Sequence, residues 1–300
     1  MRRNRREFLK GAAALTATVA APAAAAANAL PTIRLGKHQI TRLILGANPI
    51  YGYSHFNRLY DQHMRDYHTP ERVVELLKSA EANGINTWQS SYDERMVSDL
   101  GRFREQGGKL NWICVCRPTF LDNPALIAEA LKHKPIAIVQ HGGITDRVFR
   151  AGEFQKSRDL LQRVRQAGVL VGVACHNPAA AIDRMESEGW DIDFYMACFY
   201  YVSRPKDELQ KMLGELPLGE PYLSGDTARA TAAMRKCKKP CLGYKILAAG
   251  RASDTPAQRR AAFEYAYRNI KPADGVIVGM WNRFSEQVAE NAALARTLLV

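Results

Sequence analysis

Polar and ionisable side chains follow short apolar runs at several points along the chain. Arg117 and His141 each end such a run, and Lys245 lies inside a third, where an unpaired cation is costly. Histidine transfers protons near neutral pH, arginine binds anions, and lysine forms Schiff bases or holds an anionic group. The other candidates at the ends of runs are Asn48, Gln89, Tyr92, His176 and Trp281.

A long segment after the first apolar run, residues 48–68, carries aromatic rings among polar donors. Tyr51, Tyr53 and His55 are its candidate substrate-binding residues, because aromatic rings interleaved with polar groups suit a small polar ligand such as a sugar ring. We expect an ordered functional loop here. The spacing of Asp61, His63 and His68 matches no firm metal template, so we predict no metal site.

The elements that must position these residues alternate along the chain. Short apolar runs that read as buried strands alternate with amphipathic segments that read as helices. Eight such units predict a (β/α)8 TIM barrel of the α/β class, preceded by an N-terminal hairpin over residues 32–40. A doubly wound open sheet is the alternative, but the chain has no G-x-G-x-x-G turn. The predicted barrel strands are 42–46, 85–89, 112–117, 136–141, 169–175, 192–198, 241–247 and 275–279.

In a barrel of this kind, chemistry lies at the carboxyl ends of the strands and in the loops that follow them. The candidate residues above occupy those positions, whereas the middles of the strands are apolar. We therefore expect Tyr92, Arg117, His141 and Lys245 to meet at one mouth of the barrel. His176 is expected there as well, although Asn177-Pro178 could simply begin a helix.

The first thirty residues have the pattern of a targeting signal. Arg5-Arg6-Glu7-Phe8-Leu9-Lys10 resembles the twin-arginine export signal closely, and Ala27-Asn28-Ala29 fits a cleavage site. We predict a signal peptide over residues 1–29 and the barrel over residues 30–300. The expected partner is the twin-arginine export machinery, and the expected location is periplasmic or otherwise exported.

Composition limits the remaining classes. The chain has 300 residues, of which 47% are hydrophobic and 24% charged, so it can bury a large core and is not a disordered protein. The net charge of +12 has no long basic run outside the signal, which favours an anionic-ligand or solubility bias over nucleic-acid binding. After the signal no apolar segment approaches 18 residues, so no stable membrane span is expected. The six cysteines are expected to be buried and apolar in character.

Several segments resemble the aldo-keto reductase superfamily. The hairpin and first strand, residues 33–46, look like that family's opening, and Gly84 to Tyr92 looks like its second strand and catalytic turn. The run ending at His141 is similar to its fourth strand, and Gly275 to Gly279 with Glu290-Asn291 resembles its closing segment. The resemblance spans residues 31–300 and implies a divergent, exported member.

The resemblance also implies site residues. The family's catalytic tyrosine and histidine fall on Tyr92 and His141, while Gln89 replaces its aspartate and Arg117 its lysine. The family's nicotinamide-amide contacts fall on apolar or weakly polar residues, namely Ala174, Cys175 and Met196. The cofactor implied is NADP or NAD, or none. The cofactor-binding residues implied are Gly279, Asn282, Arg283 and Asn291.

Three functions follow as alternatives. The first is an exported oxidoreductase acting on a carbonyl or hydroxyl of a small polar, sugar-derived substrate, with Tyr92 as acid and His141 polarising the carbonyl. The second is a non-redox lyase, isomerase or hydrolase on a carbohydrate-like or anionic substrate, using Lys245, His141, Arg117 and His176. The third is an exported binding protein without chemistry.

Overall fold

The computed structural model describes residues 29–299. The predicted signal peptide, apart from Ala29, lies outside the described residues. Ten strands form two sheets, namely β1 (Thr32–Leu35), β2 (His38–Thr41), β3 (Leu43–Gly46), β4 (Thr87–Ser91), β5 (Asn111–Cys116), β6 (Ala137–Gln140), β7 (Leu170–Cys175), β8 (Phe194–Cys198), β9 (Cys241–Tyr244) and β10 (Gly275–Gly279).

Strands β3 to β10 form a closed parallel barrel. Each strand pairs with the next along the chain, and β10 closes the ring on β3 with Val276 opposite Leu43. Strands β1 and β2 form a separate antiparallel sheet, a hairpin in which Ile33 lies opposite Ile40. The predicted (β/α)8 barrel with an N-terminal hairpin is therefore confirmed.

Helices surround the barrel. They are α1 (Arg58–Tyr67), α2 (Pro70–Ala82), α3 (Glu94–Glu105), α4 (Thr119–Asp122), α5 (Ala125–Leu131), α6 (Gly142–Ala151), α7 (Phe154–Gln166), α8 (Pro178–Ser187), α9 (Lys206–Leu213), α10 (Asp226–Lys236), α11 (Pro256–Asn269) and α12 (Gln287–Leu298). Side chains cap two of these helices at their start, because that of Thr69 accepts from the backbone of Arg72 and that of Asn177 from the backbone of Ala180. None of the described helices is long and apolar enough to cross a bilayer.

Two helices were not expected from the sequence. The segment predicted as a loop, residues 48–68, contains α1, which begins after the N-cap Asn57. Helix α6 begins directly after His141. Its start is not predicted from the sequence because its first two residues, Gly142 and Gly143, have a low helix propensity. Both helices lie at the carboxyl ends of barrel strands, so they bear on the candidate site.

The core has two parts. Inside the barrel, buried side chains such as Ile44, Val139 and Leu242 pack with Ile33 and Ile40 of the hairpin, which shares this inner core. A larger core lies between strands and helices and contains the biggest buried rings, Trp88, Trp112, Phe103 and Phe120 among them. All six cysteines are buried and unbridged, as expected. The strand middles are thus filled with apolar groups, which leaves the strand ends for chemistry.

One buried histidine near the end of α1 makes the fold sensitive to pH. His68 is 1% exposed, its Nδ1 donates to the carbonyl of Met64 at 2.9 Å, and its Nε2 has no partner among the described residues. Burial lowers the pKa of His68 to about 4, and the charges of Arg95 and Arg72 act in the same direction. Protonation of His68 would therefore place a positive charge on a buried ring whose Nε2 has no hydrogen-bond acceptor among the described residues.

We expect His68→Gln to weaken the acid sensitivity of the protein. Below the unfolded-state pKa of about 6.5, the unfolded chain binds a proton that the folded chain refuses until about pH 4, so stability falls as pH falls. The loss is about 1.4 kcal/mol per pH unit across that window. Urea unfolding at about pH 7 and about pH 4.5 measures it, and the variant should lose roughly 2 kcal/mol less than the wild type. An equal loss in both proteins would contradict this assignment.

Candidate active site

An open cleft of about 1670 Å³ lies at the carboxyl ends of the barrel strands. It is lined by strand ends, by the following loops and by helices α1 and α6. Ten of the predicted site residues line it: Asn48, Tyr53, His55, Gln89, Arg117, His141, His176, Lys245, Gly279 and Trp281. Among residues 29–299, no group of three metal-binding side chains is placed to hold a metal ion.

Tyr92 lies outside this cleft. Successive side chains of a strand point to opposite faces, so Gln89 and Ser91 face the cleft while Ser90 and Tyr92 face the surrounding helices. The Tyr92 ring packs edge-on against Phe120 with centroids 5.5 Å apart, and burial raises the pKa of its phenol. The expectation that Tyr92, Arg117, His141 and Lys245 meet at one mouth is therefore met by the last three only.

Tyr51 is also turned away from the cleft. It is 6% exposed, its hydroxyl donates to Asp99 at 3.0 Å, and its ring lies 6.4 Å from that of Trp88. Burial, followed by the charge of Asp99, raises the pKa of this phenol well above its usual value. The side chain packs between the barrel and α3, which leaves Tyr53 as the tyrosine of this loop in the cleft.

Three of the four cofactor-binding candidates are engaged elsewhere. Asn282 donates to Glu286 and accepts from the backbone of Val288. Arg283 is exposed and lies over the rings of Tyr67 and Phe284. Asn291 is 1% exposed in the middle of α12. Only the fourth candidate, Gly279, borders the cleft.

Arg117 lies at the rim of the cleft, where its guanidinium is paired with a carboxylate of the protein. Its guanidinium makes an ion pair with Asp93 at 3.1 Å and donates to the hydroxyl of Tyr53 at 2.6 Å. The side chain is 35% exposed, so this pair is partly screened by solvent. Arg117 therefore brings little net positive charge to the cleft, but it still has donors to offer an anionic or hydroxyl group of a ligand.

His141 is held as a neutral hydrogen-bond donor. It is the N-cap of α6, where its Nδ1 accepts the backbone N–H of Gly143 at 2.9 Å, so the ring hydrogen must be on Nε2. Burial, together with the charges of His176, Arg117 and Lys245, lowers the pKa of His141 to about 4, while Asp146 acts in the opposite direction. A neutral imidazole with a free Nε2–H can donate to a carbonyl oxygen of a ligand.

His176 and Asp146 form a base and its orienting carboxylate. His176 Nδ1 lies 2.6 Å from Asp146 Oδ2, with side chains only 16% and 10% exposed. Because Nδ1 donates to the carboxylate, the neutral ring carries its lone pair on Nε2, where it can accept a proton. Gly142 lets the ring approach, since a Cβ there would lie 2.8 Å from His176 Cε1.

Sequence reasoning missed Asp146, and a signal for it exists. Ile144 and Val148 are buried at a spacing of four residues, which places them on one face of a helix that begins after His141. Asp146 then follows as a polar residue in the second turn of that helix. Glu220, discussed below, lies in an irregular segment between α9 and α10 and has no comparable signal.

The chain is similar to known proteins in its signal sequence and in its fold. A model of the twin-arginine translocation pathway signal sequence matches residues 4–22, so the chain carries an export signal and its location is periplasmic or exported. No curated protein matches the chain in sequence.

Solved structures match the barrel over most of its length. They include a variant of Gox0644 in complex with NADPH (TM-score 0.55, 12% identity, 89% of this chain and 88% of that chain). The glycerol dehydrogenase AKR11B4 from Gluconobacter oxydans has a TM-score of 0.52 at 13% identity, with 88% and 89% covered. A truncated 3-deoxy-D-arabino-heptulosonate 7-phosphate synthase from Thermotoga maritima has the same score and identity, with 90% of both chains covered. Since a dehydrogenase and a synthase match with the same score, the likeness shows the fold alone.

The protonation state of His141 can be observed directly. We expect the imidazole ¹⁵N shifts to show hydrogen on Nε2, with Nδ1 unprotonated, from neutral pH down to about pH 5, and a titration midpoint near 4. The signal is assigned by its loss in His141→Gln. A midpoint near 6.5, or hydrogen on Nδ1, would contradict the geometry described above.

Proposed function

We propose that the protein is an exported enzyme that transfers protons at the carbon next to a carbonyl group, as an isomerase or lyase of small carbohydrate-like substrates. The observation that carries this proposal is the His176–Asp146 pair, which lies in the same cleft as the neutral donor His141. Enolisation needs two groups, namely a base for the C–H proton and an electrophile for the carbonyl oxygen.

His141 supplies the electrophile. Its Nε2–H donates to the substrate carbonyl, and a neutral imidazole suits this role because it stabilises the developing enolate oxygen without first losing a proton to solvent. The N-cap bond from Gly143 fixes the ring, so little reorganisation is needed when negative charge develops on the oxygen.

His176 supplies the base. Its Nε2 takes the proton from carbon, and the imidazolium that forms is stabilised by Asp146, to which it is already hydrogen-bonded. Returning the proton to the neighbouring carbon gives an isomer, whereas loss of a group from the β-carbon gives a lyase product. Both outcomes share the same first step.

The walls of the cleft support a polar ligand with apolar faces. One wall carries the rings of Tyr60, His63 and Trp281, of which Trp281 lies 6.1 Å from Tyr60 and 5.7 Å from His63 between centroids. The cleft also offers hydrogen-bond donors such as Arg117 and Asn48. Aromatic faces with nearby hydrogen-bond donors suit a sugar ring, which has an apolar face and polar edges.

The residues present fit a nicotinamide cofactor poorly. Ala174 and Met196 border the cleft where the resemblance implies amide-binding groups, and Tyr92 faces the helices rather than the cleft. Asn291 is buried inside the helix packing. We therefore derive no step through such a cofactor. Aldo-keto-reductase-type redox activity stays the alternative proposal, and NADPH binding tests it.

We expect His176→Asn to reduce proton transfer by about 10²- to 10⁴-fold. The measurement is deuterium incorporation from D₂O next to the carbonyl of small aldoses, ketoses and keto-sugars, followed by ¹H NMR. Asp146→Asn should also slow exchange, because the imidazolium loses its carboxylate. Asp159→Asn, an exposed carboxylate on α7 that accepts from Gln155, is the matched control and should leave exchange unchanged.

The redox alternative predicts a different pattern. NADPH would bind and be oxidised by the same carbonyl compounds. Their reduction would not require deuterium incorporation from D₂O at the carbon next to the carbonyl. Cofactor-dependent turnover that survives His176→Asn, with no exchange in the wild type, would overturn the proton-transfer proposal.

A further inference from the structure

Three polar side chains form a hydrogen-bonded chain along the wall of the cleft. Lys245 Nζ lies 2.6 Å from His55 Nε2, and His55 Nδ1 lies 2.8 Å from Glu220 Oε1. Since a carboxylate can only accept, Nδ1 of His55 carries hydrogen and its Nε2 is the acceptor for the lysine. Asn48 Nδ2 also reaches Nε2, at 3.0 Å, and helps to fix the ring.

This chain is assembled from three distant parts of the sequence. Lys245 follows β9, His55 belongs to the loop after β3, and Glu220 comes from the irregular segment before α10. Lys245 and His55 both adopt left-handed backbone conformations, with φ of 60° and 58°. Residues other than glycine adopt such conformations rarely, and residues that do so cluster at functional sites.

The surroundings of Lys245 lower the pKa of its ammonium group. Burial lowers the pKa of its ammonium group, and Arg251 acts in the same direction, while Cys198 and Glu220 oppose them. Burial alone would raise the pKa of Glu220, but the hydrogen bond and charge of His55, with Lys245 and Tyr222, bring it to about 2. Glu220 is therefore a fixed negative charge that holds the Nδ1–H of His55 through their hydrogen bond.

We propose that Lys245 is a nucleophile that forms an iminium bond with the carbonyl carbon of the substrate, with His55 as its proton acceptor and Glu220 orienting His55. The inference rests on the proposed function for the carbonyl class of substrate. The three residues repeat the logic of nucleophile, base and orienting carboxylate. The partner of Lys245 in this chain is an imidazole nitrogen, which can accept a proton at neutral pH more readily than a carboxylate can.

The step balances without an oxidant or reductant. The lone pair of neutral Nζ forms the C–N bond while the π pair of the C=O bond moves to oxygen. One Nζ proton passes through His55 to that oxygen, which gives a neutral carbinolamine. The hydroxyl then takes one proton from solvent and leaves as water, and the nitrogen lone pair forms the C=N⁺ bond.

An iminium at this position would assist the base described above. Its positive nitrogen withdraws electrons from the adjacent carbon, so His176 would remove a proton from a more acidic C–H bond. Lys245 and His55, which moves the Nζ proton, would then be catalytic residues, and Glu220 a positioning residue that acts through His55.

Reductive trapping tests the proposal on the wild-type protein. The folded protein is incubated with dihydroxyacetone and sodium cyanoborohydride at about pH 7, and the labelled lysines are mapped by peptide mass spectrometry. Lys239 is the internal control, because it is also partly buried but its Nζ is 2.6 Å from a carboxylate, that of Glu186. We expect severalfold more label on Lys245 than on Lys239, because burial of Lys245 favours the neutral amine that attacks a carbonyl, whereas Lys239 Nζ is held in an ion pair.

Two variants separate a chemical role from a structural one. His55→Gln keeps an acceptor for Lys245 but cannot take its proton, so label on Lys245 should fall to the level of Lys239 while label on Lys239 stays unchanged. Lys245→Arg should remove the adduct and keep a cation in the cleft. Equal labelling of Lys245 and Lys239 in the wild type overturns the proposal, whether or not either variant folds.

The outcome is distinguishable from failure of the proposed function. Selective label on Lys245 without deuterium exchange would uphold the nucleophile and reject proton transfer by His176. Exchange without selective label would uphold the His176 mechanism and reject the iminium.

Discussion

The hydrogen bond between His176 and Asp146 joins the end of β7 to the second turn of α6, over 2.6 Å. It keeps hydrogen on Nδ1, so the ring's lone pair lies on Nε2 and the ring can serve as a base. Its existence depends on Gly142, which leaves no Cβ in the space that the ring occupies. The neighbouring His141 has the opposite tautomer, because its Nδ1 accepts from Gly143. The two histidines thus differ in tautomer, because a side-chain carboxylate holds hydrogen on Nδ1 of His176 whereas a backbone N–H occupies Nδ1 of His141.

Strand geometry sets the cleft apart from what the resemblance to the aldo-keto reductases implies. Strand periodicity turns Gln89 into the cleft and Tyr92 toward Phe120, so the tyrosine is separated from His141 although both follow strand ends. The titratable side chains that line the cleft come instead from α6 and from the segments after β3, β7 and β9. A closed barrel accommodates different groups at its mouth because the loops there can vary while the ring of strands stays the same.

Much of this arrangement follows from local sequence patterns. Apolar runs of strand length identify the eight barrel strands, and the residues that end them include His141, His176 and Lys245. Partners that depend on tertiary contact do not follow in this way. Asp93 beside Arg117, Asp146 beside His176 and Glu220 beside His55 are ordinary surface carboxylates by sequence. Tyr51 and Tyr92 resemble ligand-binding tyrosines in sequence, but both side chains point toward the helices. For Tyr92 the cause is the alternation of side chains along the strand, and for Tyr51 it is the path of the loop after β3.

The fate of a single hydrogen tests the central claim most directly. A carbonyl compound that the protein converts is labelled with deuterium on the carbon next to the carbonyl, and the label is followed by NMR and mass spectrometry. Abstraction by His176 predicts that the deuterium appears in solvent water, or on the neighbouring carbon of the product. Deuterium that stays on its original carbon while the carbonyl is reduced would contradict the account.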